Sequence, residues 1–326
     1  MNRSHVLDEK PRVAFVDIAK GIAILLMVVG HVFSLPTPLK HAIYSFHMPL
    51  FFMMSGYFAR KENVRTLALR MMPMLIVPYM AVGGVIRVAN IINNAQCGMP
   101  FDYVDLLSLL GVCWKFDGDM VSAGAIWFLV VLYWSKLYFQ VVVSSKFGIP
   151  WMFILATMSI GVTKLLHIVI PFGVQQAFVC TIFLYMGYLC RKKNLFDVKM
   201  SNFVLMALII SVIPFLSKLG IGTRANNYTL GFMSILISSF LVWIIVLAVK
   251  RLEVANVKAF LFLSPFLAWC GRISLVILAV HSIETRLFPF KHSNFVIETT
   301  VRLAIILSLA WICTKIPATR RLFHVK

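Results

Sequence analysis

Long runs of Leu, Ile, Val, Phe and Met, separated by short polar breaks, set the rhythm of this 326-residue chain. Several runs reach the roughly 20 residues that a helix needs to cross about 30 Å of hydrocarbon. Ten spans are read, at 13–33, 42–58, 71–92, 125–143, 150–170, 174–190, 201–219, 229–249, 262–283 and 296–314. The pattern predicts an all-α polytopic membrane protein: a bundle of about ten transmembrane helices in a single domain over residues 1–326.

Composition strengthens that reading. The chain is 60% hydrophobic and only 13% charged, with a mean hydropathy of +0.89; soluble domains are nearer a quarter charged. A net charge of +19 would suggest nucleic acid in a soluble chain. Here its distribution has another meaning. With the N-terminus inside, nineteen lysines and arginines fall in inner segments and six in outer loops. Basic residues collect on the cytoplasmic side, so both termini are expected there and no nucleic-acid partner is. No cleavable signal peptide is apparent: a dozen polar residues lead straight into the first span. Six further basic residues, Lys20, Arg87, Lys136, Lys164, Arg272 and Arg302, lie within spans. Those near span ends can snorkel; Lys20 and Arg272 fall in motifs.

The longest outer segment, about 93–124, carries Asp102, Asp105, Asp117 and Asp119. Its stretch FDYVDLLSLLGVCW reads as an amphipathic helix at the interface, either a lid over an outer site or an ordinary interfacial loop. Cys97 and Cys113 share this segment and would pair only in an oxidising compartment. The other four cysteines lie in spans as packing residues. There is no metal-type Cys/His spacing, no glycine-rich nucleotide fingerprint and no internal repeat.

Chemistry concentrates in the first hairpin. Lys20 and His31 are eleven residues apart, which on a helix is three turns plus about 20°, so they share a face. Asp17, three residues before Lys20, can pair with it on that face. A polar stripe of this kind faces a bundle interior or a wet cavity, not lipid. A structural ion pair and an interfacial histidine would explain the same residues. The next stretch, IYSFHMPLFFMMSGYF, sets His47 at the outer start of the second span, near His31. Pro49 suits a helix beginning there, and Ser55 and Gly56 allow close helix approach. Two histidines converging on one membrane face are candidates for proton transfer.

Together these residues resemble the acyltransferase type 3 family of membrane O-acyltransferases, in particular its fucose 4-O-acetylase-like branch. The family's basic residue, ten-residue gap and histidine match Lys20 and His31. FHMPLFF..SGY matches Phe46–Tyr57, R..P.LIVPY matches Arg70–Tyr79, and WFL matches Trp127–Leu129. FLYMGYLCRKK at Phe183–Lys193 and GRISLVILAVH at Gly271–His281 complete an ordered set running to residue 281. The resemblance implies transfer of an acyl group, acetyl foremost and succinyl as an option, from cytoplasmic acyl-CoA to a carbohydrate hydroxyl on a surface polysaccharide or its lipid-linked precursor. It implies a bacterial inner membrane, with acetyl-CoA as co-substrate and no bound cofactor or metal.

On that basis His31 would be the general base, and Lys20 would hold donor phosphate or carbonyl charge with Asp17 positioning it. Arg60, Lys61, Arg65 and Arg70 would receive the CoA phosphates; topology alone would equally explain their charge. The family often carries two arginines three apart in this loop, whereas here they are five apart. On the acceptor side stand His47, Trp127, Ser274, His281 and Glu284. Ser274 and His281 share a face, and Glu284, one turn on, would orient His281. Some family members append an extracytoplasmic domain; none is expected here, with the last span ending about twelve residues before Lys326. The rival reading is a transporter, proton-coupled or acyl-CoA-coupled, with Lys, Asp and His as a relay; it would call for repeated halves.

Overall fold

A computed structural model describes residues 13–96, 124–166, 170–199, 201–202, 204–208, 221–223, 226–288 and 290–325. The expected lid beyond Gln96, with Cys97 and Cys113, and most of the expected 201–219 span lie outside the described residues. The helices are α1 (Ala14–Gly30), α2 (Thr37–Tyr44), α3 (His47–Tyr57), α4 (Val64–Gln96), α5 (Gly124–Ser144) and α6 (Gly148–Leu166). They continue with α7 (Val174–Lys192), α8 (Phe232–Val254), α9 (Lys258–Arg272), α10 (Ser274–Leu287), α11 (Phe295–Lys315) and α12 (Pro317–Leu322). A two-residue ribbon pairs β1 (Ile221–Gly222) antiparallel to β2 (Asn227–Tyr228), with Ile221 opposite Tyr228.

The chain is thus an all-α membrane protein. Among the described residues, α4, α5, α6, α8 and α11 are each long and apolar enough to cross a membrane, and α9 with α10 makes a sixth if counted as one bent span. At 17 residues, α1 rises about 25 Å, short of the roughly 30 Å hydrocarbon thickness.

Two expected spans are broken. Residues 42–58 form two helices, α2 and α3. Pro49 has no N–H to offer the carbonyl of Ser45, and its ring crowds that carbonyl. The Ser45 carbonyl instead accepts a hydrogen bond from the Ser238 hydroxyl of α8. Residues 262–283 bend by 71° between α9 and α10, where Ile273 leaves the helical region at φ −98°, ψ 17°. Proline also marks α4: Pro73 withholds a donor, and Met72–Ile76 widen into a π-turn inside the long helix.

Two reciprocal glycine contacts draw the bundle together. A Cβ on Gly21 of α1 would fall 1.9 Å from the Leu267 carbonyl oxygen, and one on Gly271 of α9 would fall 1.9 Å from that of Asp17. Gly56 of α3 and Gly187 of α7 repeat the arrangement, at 1.9 Å from Leu184 O and 1.8 Å from Met53 O. Small residues let backbones touch where hydrocarbon solvent offers no hydrophobic drive between helices. The expected role of Gly56 is therefore met, with Gly187 as its partner. Around these crossings α7 is sunk in the core through Ala177, Val179, Cys180, Ile182, Phe183 and Leu184. By contrast α6 and α11 bury only a few residues each. The close α1–α9 and α3–α7 crossings, with α1 also against α3, fix where the end of α1 points.

Candidate functional site

His31 stands just past the last turn of α1, as its C-cap. Its Nδ1 lies 2.8 Å from the Met27 carbonyl oxygen. A carbonyl only accepts, so in the neutral ring Nδ1 carries the proton and the basic lone pair is at Nε2. His47, the first residue of α3, repeats the device: its Nδ1 lies 2.8 Å from Ile43 O. Tyr44 stands between them, its ring 5.7 Å from that of His31 and 5.3 Å from that of His47. The Tyr44 hydroxyl donates to Gly30 O at 3.0 Å. From α10, His281 meets His31 edge-on at 5.0 Å between ring centroids.

These rings line one cavity of about 350 Å³, with Trp127 of α5 and residues 221–223 of the ribbon completing its wall. The volume lies in the roughly 300–1,000 Å³ range of small-molecule sites. A smaller apolar cavity of about 60 Å³ adjoins it; Met27 and Met48 line both, and Phe51, Phe128 and Ser274 lie on the far side. Ser274, expected on the acceptor side on the same helix face as His281, lines this second cavity and not the one lined by the histidines.

Behind the histidines runs a buried ionic network. Arg302 of α11, 2% exposed, grips Glu284 of α10 through Nε to Oε1 at 3.1 Å and Nη2 to Oε2 at 2.8 Å. Its Nη1 donates to the His31 carbonyl oxygen at 2.7 Å and lies 3.7 Å from Glu298. Glu298 accepts from Phe33 N at 2.7 Å, Ser34 N at 3.2 Å and the Ser34 hydroxyl at 2.7 Å. Arg302 and Glu298 thus fasten the end of α1 and the turn that follows it. Glu284 was expected to orient His281, but Arg302 occupies both its oxygens; His281 Nδ1 is 3.8 Å away and has no hydrogen-bond partner among the described residues. Tyr44 and Glu298 carry no sequence signal that points to this site; Arg302 carries one, a charge within an apolar run, which snorkelling would equally explain.

The remaining expected residues gather at the other end of α1. Lys20 lies about 16 Å along the axis from His31. It forms no ion pair with Asp17 among the described residues; its ammonium sits over the Phe58 ring at 5.9 Å. Lys136 of α5 lies within electrostatic reach of Arg70, Lys20 and Glu62. Arg60, Lys61, Arg65 and Arg70 are all exposed. Arg70 pairs with Glu62 at 2.6 Å, and Gln140 of α5 pins the loop by donating to Arg60 O at 2.8 Å and accepting from Glu62 N at 3.0 Å. Asn63 caps the start of α4. The structure therefore separates the candidates into a histidine cluster at one end and a basic group at the other.

The family model described as "Acyltransferase domain" matches residues 13–315. The Nodulation protein NolL of Sinorhizobium fredii (strain NBRC 101917 / NGR234) is 43% identical over 60 residues, which is 15% of this chain and 16% of that protein. The matched stretch thus spans less than a fifth of the relative's length. No solved structure matches the chain.

Proposed function

The chain belongs to the acyltransferase domain family, and on that premise we propose that it is a membrane O-acyltransferase. It moves an acyl group, acetyl in the first instance, from cytoplasmic acyl-CoA to a hydroxyl of a surface polysaccharide or its lipid-linked precursor. The carrying observation is His31, held through Nδ1 on its own helix at the wall of a cavity large enough for a small-molecule substrate. Ten spans with both termini inside would turn that cavity outward, in a bacterial inner membrane.

The chemistry follows from the tautomer. His31 Nε2 takes the acceptor hydroxyl's proton as its oxygen attacks the thioester carbonyl. The tetrahedral intermediate collapses, the C–S bond breaks, and the departing CoA sulfur takes the proton from the imidazolium. The products are an ester and free CoA, and the base returns to its starting state. Such a base contributes about 10²–10⁴-fold. Trp127 offers a flat apolar face for a sugar ring, and His281 stands on the same cavity wall. His47, its Nδ1 committed to Ile43 O, completes the acceptor wall. At the other end Lys20, with the nearby charge of Lys136, holds donor anionic charge, and Arg60, Lys61, Arg65 and Arg70 attract it. The small apolar cavity through Met27 and Met48 suits the thioester arm between them.

Acceptor-dependent consumption of acetyl-CoA by protein in detergent tests the reading, because without a sealed membrane no transport can contribute. Ester product, identified by mass spectrometry on the glycan, is expected. Failure with acetyl-CoA and succinyl-CoA alike, in the presence of lipid-linked glycan, contradicts it.

A further inference from the structure

The end of the bundle that carries Lys20 and Arg70 has a polar cavity of about 410 Å³ at the junction of α9, α11 and α12. Arg272, Lys315, Arg320 and His324 line it together with Trp269 and Thr314, and no acidic side chain stands among its described lining residues. No carboxylate pairs with Arg272, Lys315 or Arg320 among the described residues. The cavity lies at the surface, with Arg272, Lys315, Arg320 and His324 all exposed, but the tail that forms it is held in place. Val325 N donates to Arg320 O at 3.0 Å, closing the end of α12. That turn puts His324 at φ 52°, in the left-handed region that side chains other than glycine seldom enter. His324 Nε2 then reaches Pro73 O at 3.4 Å, three residues beyond Arg70 on α4. Arg272 directly follows Gly271, which is locked against α1, and Lys315 is steadied over the Trp311 ring at 5.2 Å.

Three permanent cations gathered round one space repel one another, and a bound anion removes that cost. Guanidinium forks match phosphate oxygens in pairs, while a lysine supplies a compact point charge. We propose that this cavity binds a phosphate group, brought either by the nucleotide end of acyl-CoA or by an anionic lipid headgroup. Phosphate binding here stands apart from the transfer reaction; only the acyl-CoA source rests on the acyltransferase reading.

The test compares wild type with Lys315→Gln/Arg320→Gln, using Arg321→Gln, outside the cavity, as control and Arg320→Lys to return the charge. One arm measures CoA and dephospho-CoA affinity in phosphatidylcholine nanodiscs. The other measures phosphatidylglycerol retained by the detergent-purified protein, by native mass spectrometry. A loss of roughly tenfold in the double variant, equivalent to about 1.4 kcal/mol of charge-assisted contact, spared in Arg321→Gln and largely kept in Arg320→Lys, is expected in one arm. In the first arm it assigns the cavity to the nucleotide, in the second to lipid. Wild-type binding by the double variant in both arms overturns the proposal. Neither arm needs turnover, so an inactive protein that binds phosphate would refute the acyltransferase reading and leave this one standing.

Discussion

Replacing Arg302 with methionine removes the cation at the centre of the buried network while nearly keeping its volume. Glu284 then loses both of its bonds, at 3.1 and 2.8 Å, and the His31 carbonyl loses its donor. Glu298 is less affected, because two backbone amides and the Ser34 hydroxyl still serve it. The dominant loss is one uncompensated buried carboxylate, which costs about 3–5 kcal/mol. At about 2–4 °C per kcal/mol for chains of a few hundred residues, the melting temperature should fall by roughly 10 °C. Adding Glu284→Gln removes the stranded charge, so the double variant should recover about half of that loss. Thermal unfolding in detergent, followed by intrinsic fluorescence, measures all three proteins. A single variant that melts with wild type, or a double variant no more stable than the single one, would refute the network as the clamp on α1.

Other expectations test the packing and the acceptor wall. Gly271→Ala places a methyl 1.9 Å from Asp17 O and should cut stability and yield sharply, whereas Gly84→Ala, with nothing within 4 Å, should hold or gain about 0.5–1 kcal/mol; melting curves of the pair decide. Ser238→Ala leaves the Ser45 carbonyl without the donor that replaced Pro49 and should cost about 1–3 kcal/mol, read as a lower melting temperature with unchanged affinity for CoA. Trp127→Ala should raise KM for the glycan with little change in KM for acyl-CoA, in steady-state kinetics with each substrate varied in turn.

Local features of the fold were legible because local physics sets them. Apolar runs of helical length mark α4, α5, α6, α8 and α11, Pro49 marks the start of α3, and Gly56 marks a helix crossing. The break at Ile273 was not legible, since no proline or glycine stands at that residue. Nor was the grip of Arg302 on His31, which joins residues 271 positions apart through a fold that periodicity does not determine. Lys20 and Asp17 show a limit of spacing: the Asp17 charge acts on the ammonium, yet the two form no ion pair among the described residues, and the ammonium sits over the Phe58 ring. His31 and His281 were each visible as polar residues in apolar sequence, but the fold that brings their rings to 5.0 Å was not.

The most direct test of the account is thioester consumption by the purified protein with acetyl-CoA and glycan acceptor, comparing wild type with His31→Ala and Lys20→Ala. Turnover in His31→Ala should fall by about 10²–10⁴-fold with the melting temperature held, while Lys20→Ala should mainly raise KM for acetyl-CoA. Wild-type turnover in a folded His31→Ala protein would contradict the claim that this histidine is the base.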